Sequence, residues 1–140
     1  MLADKKVLTL ALAKRIAAAA EQEAIKNHWS MFIAVVDDGG NLMYLQRMDD
    51  CQLASLDVSI AKARCALLFK RPTKALEDAV AAGRSVIMTL PNAVPVEGGV
   101  PLLAHGKIVG AIGISGATSP QDGIVAKAGA DELEKILQSA

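Results

Sequence analysis

Apolar residues crowd the start of the chain in a helical rhythm. Val7, Leu8, Leu10, Ala11, Leu12 and Ile16, followed by four alanines, predict a helix over 4–26 that ends at Asn27, His28 and Trp29. Its apolar positions exceed one stripe, so its first half is expected to be covered on two sides. Residues 31–36 form a β-branched apolar run and read as a strand. Asp37-Asp38-Gly39-Gly40-Asn41 reads as a tight turn, and 42–48 returns as the second strand of a hairpin.

A second helix is predicted over 54–70. At 100° per residue, Leu56, Ile60, Ala63 and Leu67 share one face, and Val58, Ala61, Cys65, Leu68 and Phe69 lie nearly opposite. One face covers the sheet, and the other calls for a second apolar partner, such as another subunit. Arg71-Pro72 ends this helix, and Thr73 reads as the N-cap of a short helix over 74–82 stopped at Gly83. Residues 86–90 read as a short strand or an extended loop. Strands follow at 100–105 and 107–115, joined by a turn at His105-Gly106. Ser119-Pro120-Gln121-Asp122 starts a last helix, with Ser119 as N-cap, that runs to about 138. Gly123 and Gly129 inside that helix point to close packing. The order helix, hairpin, helices, hairpin, helix predicts an α+β fold with an antiparallel sheet covered by helices.

The length of 140 residues, without repeats or linkers, predicts one domain over 1–140. Apolar residues make up 52% of the chain, yet no run reaches the roughly 18 residues of a membrane span. The surplus is assigned to contacts between identical subunits. Fifteen basic residues balance fifteen acidic ones, and only four aromatics are present. That excludes an electrostatic footprint for nucleic acid and a base-stacking platform. The first residues lack a signal-peptide pattern, and Cys51 and Cys65 make no CxxC, so a cytoplasmic protein with reduced thiols is expected.

Candidate chemistry concentrates in Glu97-Gly98-Gly99-Val100-Pro101. Successive N–H groups in such a loop could hold a carboxylate, against the plainer reading of a bend feeding a strand. No Gly-Lys-Ser/Thr follows, and Gly110, Gly113 and Gly116 recur every third residue, so neither a P-loop nor a dinucleotide fingerprint is present. Lys62 shares a helix side with Ser55 and Ser59. Ser59 and Lys62 match an SxxK pattern whose companion motifs are absent. A buried lysine there could bind an anion; a solvated or interface lysine is the alternative. His105 and His28 are candidate ligands of a prosthetic group, set against an exposed turn residue and a helix C-terminal residue. Two histidines so far apart make no zinc site, and no metal is expected.

Residues spread from about 5 to 136 carry a family resemblance. They include Ala34-Val35-Val36-Asp37-Asp38-Gly39-Gly40-Asn41-Leu42, Ala61-Lys62-Ala63-Arg64, Phe69, Pro72 and Thr73. The glycine-rich stretch from Glu97 to Gly116, then Asp122, Ala126, Ala128 and Gly129, complete the set. In this order they resemble the heme-degrading, GlcG/HbpS-like domain family, which includes the C-terminal domains of PduO-type proteins. The resemblance implies a profilin-like three-layer α/β/α fold with a five-stranded antiparallel sheet, the fifth strand falling near 86–90. It also implies a homo-oligomer binding a small-molecule ligand. Heme or a related tetrapyrrole is the leading ligand and cofactor. A small enzyme or accessory factor acting on a short hydroxy acid, diol or aldehyde is the second reading, and an oligomeric scaffold the third.

Overall fold

A computed structural model describes residues 1–140. Four helices, α1 (Leu10–Lys26), α2 (Ser55–Phe69), α3 (Thr73–Ala81) and α4 (Ser119–Ser139), surround four strands. These are β1 (Phe32–Asp37), β2 (Leu42–Arg47), β3 (Gly99–Ala104) and β4 (Lys107–Ser115). The sheet is antiparallel throughout, in the order β2-β1-β4-β3. The expected fifth strand is absent: Ser85–Thr89 forms a 3-10 helix. Pro91 and Pro95 follow closely, and Ile87 turns inward to meet Cys65 and Leu76. That burial holds the segment against α2 and α3 rather than at a sheet edge.

Strand alternation divides the core. Ile33, Val35, Ile112 and Ile114 face α1 and α4, where they meet Ile16, Ala20, Val125 and Leu133. Ala34, Val36 and Ala111 face α2 and meet Ala63, Ala66 and Leu67. Isoleucines dominate the α1/α4 face of the sheet, while the layer against α2 holds mostly alanines with Val36 and Leu67. The α2 face is thin because backbone meets backbone there. A Cβ on Gly113 would collide with the Ser59 carbonyl oxygen and stand 2.5 Å from the Ala63 nitrogen. A Cβ on Gly99 would collide with the Lys62 carbonyl. On the other face Gly129 allows α4 to seat on Ile112, as its place in the sequence predicts.

Several boundaries differ from expectation. The first helix begins at Leu10, because the Thr9 hydroxyl caps it by accepting the Leu12 N–H. Leu8, outside the helix, is buried against Gly110. In α3 the cap is Pro72, and the Thr73 hydroxyl is turned elsewhere. Thr118 rather than Ser119 caps α4, in a capping box with Gln121. The predicted apolar face of α2 is also shifted, since Leu56 is exposed while Ser55, Ser59 and Lys62 are buried. Its second apolar side is covered within the chain only in part: Cys65 and Phe69 pack against α3 and the 3-10 helix, while Val58 and Leu68 stay exposed.

The β1–β2 turn is held by Asp37, whose Oδ1 accepts the Gly39 and Asn41 N–H groups, both at 2.9 Å. The Asn41 bond, the larger cause, helps hold the Asp37 carboxyl below the usual carboxylate range. A depressed carboxyl adds stability above its unfolded pKa and loses it as pH falls through the folded value. Asp37→Asn should therefore flatten the acid limb of the stability curve, measured as thermal midpoint against pH; an unchanged limb would remove this role. Gly113→Ala should destabilise the protein by about 3 kcal/mol in urea unfolding, because helix backbone has to move. A loss under about 0.5 kcal/mol would show that α2 does not rest on the sheet backbone.

Candidate functional site

A cleft of about 710 Å³ opens between β3 and α4. Its size lies in the roughly 300–1,000 Å³ range of small-molecule sites. One wall is the edge strand β3 and the loop before it, contributing Glu97, Gly98, Gly99, Val100, Pro101 and Leu103. The opposite wall is α4, with Gly123, Lys127, Ala130, Asp131, Glu134 and Leu137. Pro72 and Lys74 come from the start of α3, and His105-Gly106 from the β3–β4 turn. The five loop and strand residues singled out in the sequence thus share a cleft with His105. His28 does not line it: it sits exposed after α1, with φ at 61°.

The loop from 97 to 99 is positioned by α3. Thr73 and Glu77, four residues apart, present one helix face to it. The Thr73 hydroxyl accepts the Gly99 N–H at 2.9 Å and faces the Gly99 carbonyl at 3.5 Å. Glu77 Oε1 accepts the Glu97 N–H at 3.1 Å. Two N–H groups of the predicted anion nest are therefore already satisfied inside the chain. The segment forms cleft surface instead of a set of free donors. The Glu97 side chain crosses to α4 and packs on Gly123, bringing the two walls together at that end.

Lys62 lies beneath this floor. It is 1% exposed, and a Cβ on Gly98 would stand 2.8 Å from its Nζ. The ammonium donates to the Ile114 carbonyl at 3.1 Å and to Asp122 Oδ2 at 3.0 Å. Asp122 Oδ1 accepts the Ala117 N–H at 3.0 Å. Burial pushes the Asp122 carboxyl above the usual carboxylate range, while the Ala117 N–H and Lys62 pull against it. Lys62 is thus a buried cation paired within the chain, separated from the cleft by Gly98. The SxxK reading loses its nucleophile, since the buried Ser59 hydroxyl donates to the Leu56 carbonyl at 2.8 Å.

Sequence reasoning missed Asp122 as the partner of Lys62, because an acid in a first helical turn already has a local explanation. It also missed Thr73 and Glu77 as loop clamps, and the α4 wall altogether. Glu77 is four residues from Thr73, a spacing that would have placed both on one face. Two lysines and three carboxylates line the cleft, and the lysines pair with Asp78 at 3.1 Å and Asp131 at 2.7 Å. The cleft is therefore no funnel for small anions. Its walls suit a largely apolar ligand with a few polar groups. No group of His, Cys, Asp and Glu is arranged to hold a metal ion by itself, and no helix is long and apolar enough to cross a membrane.

Known proteins share this architecture. The chain is 48% identical to the protein GlcG of Escherichia coli K12 over 111 residues, 79% of this chain and 83% of GlcG. A crystal structure of a double mutant of Streptomyces reticuli HbpS matches with a TM-score of 0.84 and 33% identity, covering 93% of this chain and 89% of that one. A PduOC–heme complex matches with a TM-score of 0.83 and 27% identity, covering 91% and 95% of the two chains. The family model for haem degrading proteins of the HbpS-like type matches residues 8–131, and the chain belongs to that family.

Proposed function

We propose that this chain is a cytoplasmic, homo-oligomeric protein that binds heme or a related tetrapyrrole in the cleft between β3 and α4. The observation that carries this reading is the coincidence of His105 with apolar walls. Val100, Pro101 and Leu103 stand on one side, Ala130 and Leu137 on the other, and an imidazole lies in the same cleft. A flat macrocycle needs such walls, and a histidine is a common protein ligand for its iron. The heme carried by a structural relative supports the same ligand class. Helices on both faces of the sheet support a profilin-like three-layer frame.

The residues present fit the group. His105 would supply a nitrogen to the iron from a tight turn in which both His105 and Gly106 have positive φ. Lys74 and Lys127 would meet the propionates, exchanging their present carboxylate partners for those of the ligand. Glu97, Gly98 and Gly99 would form the floor. When bound, heme supplies a redox-active iron; the chain supplies orientation and a partly dry wall.

Assembly would rest on the apolar surface that the fold leaves open. Val86, Met88 and Leu90 of the 3-10 segment are 55%, 58% and 44% exposed. Burying such a strip between copies is the ordinary use of an exposed apolar patch. Hemin titration of the purified protein should give a saturable Soret band on a defined oligomer, with mass followed by light scattering. His105→Ala should shift or abolish the band, and His28→Ala should leave it unchanged. A titration without a saturable spectral change would overturn the heme reading.

A further inference from the structure

Beneath the cleft, one ion pair joins elements that are far apart in sequence. Lys62 comes from α2 and Asp122 from the first turn of α4, and both side chains are almost wholly inaccessible. Each does more than bind the other. Lys62 Nζ also holds the Ile114 carbonyl, while the Ile114 N–H donates to the Gly98 carbonyl at 2.9 Å. Ile114 thereby links the lysine to the floor of the cleft. Asp122 holds the Ala117 N–H and fixes the start of α4, where the next residue, Gly123, lines the opposite wall.

We propose that Lys62 and Asp122 are positioning residues of the cleft, whose buried pair locks the Gly98 floor to the first turn of α4 and sets the spacing of the two walls. The proposal rests on the cleft being the ligand site. Neither residue touches the ligand; both act through Gly98, Ile114, Ala117 and Gly123. The geometry explains why glycine stands at 98. With φ at 136°, its backbone passes over the ammonium, and a side chain would enter the space that Nζ occupies.

A buried pair gains little net stability over apolar side chains of similar size, but losing one partner leaves an uncompensated charge. The lock should therefore respond to the ionisation of Asp122. Facing that carboxyl are the Lys62 ammonium from α2 and the Cys51 thiol from the segment before α2, with Glu97 across Gly123. Of these, Lys62 is bonded to it directly. Burial raises the Asp122 carboxyl above the usual carboxylate range, and its protonation on acidification would release the lysine.

The test is amide hydrogen exchange, read residue by residue against pH and corrected for intrinsic rates, in the full-length wild type and in Asp122→Asn. Protection at Gly99, Ile114 and Gly123 should fall about tenfold in the variant, with Ala34 and Val36 in β1 unchanged. Wild type should show the same local fall as pH drops from 7 towards about 4, and the variant should show none of it. Hemin affinity should weaken in parallel, by about tenfold. If the single variant unfolds, Lys62→Met with Asp122→Leu replaces the pair by apolar side chains, and the same local loss of protection is expected. Wild-type protection at those amides in a folded variant would overturn the positioning role even if hemin binds. A wild type that ignores hemin but shows the pH-dependent exchange would overturn the heme reading and keep the lock.

Discussion

The direct contact between the α2 backbone and the sheet is the constraint from which the rest of the structure follows. Gly99 and Gly113 lie on neighbouring strands and are Cα partners in the β3–β4 register. Together they make a flat patch on which the turn from Ser59 to Ala63 rests without side chains between. A helix seated that close cannot present leucines to the sheet at the contact. It presents Ser59, Ala63 and Ala66, all buried, and has to accommodate Lys62 among them. The lysine stem runs along the sheet and places its ammonium under Gly98, where two acceptors receive it. The buried charge is thus a consequence of the close approach, and Asp122 is the group that makes it tolerable.

The same constraint explains the asymmetry of the sheet. With the α2 face closed mainly by alanines and glycine backbone, the large side chains of Ile33, Val35, Ile112 and Ile114 turn to the other face. There α1 and α4 pack on those side chains, and α4 faces the edge strand β3. An edge strand has no strand beyond it to fill the space beside the helix, so a cleft opens between them. Pro101 in β3 suits that place, because proline lacks the N–H that an inner strand would need. The cleft is the uncovered margin of a sheet whose opposite face is packed as tightly as backbone allows.

Most elements were legible in the sequence because their signals are local. The Asp37 to Asn41 turn, the β3–β4 hairpin at His105-Gly106 and the start of α4, one residue from its true cap Thr118, follow from turn and cap chemistry within a few residues. What failed depended on distant partners. Helical periodicity in α2 places Leu56 on the core face, yet the sheet opposite is glycine and excludes a large side chain, so the helix is rotated to bury Ser59 and Lys62 instead. Residues 86–90 have a strand-like composition, but Ile87 is buried against Cys65 of α2 and Leu76 of α3, which holds the segment in a 3-10 helix away from the sheet. Thr73 itself reads as an N-cap, and its hydroxyl serves a loop 26 residues away.

The candidate site was legible in half for the same reason. Glycines at 98 and 99 announce a close approach, but a sequence does not say what approaches. On one side of this loop it is a lysine and a helix backbone from the same chain, and on the other it is open cleft. The two sides are not independent, since a side chain at Gly98 would displace the lysine and one at Gly99 would lift α2. Either change would move the loop that forms the cleft floor. Tight packing below and open surface above therefore place the same demand on these two positions. A ligand in the cleft would be held by a floor whose rigidity comes from the core behind it rather than from contacts in the cleft.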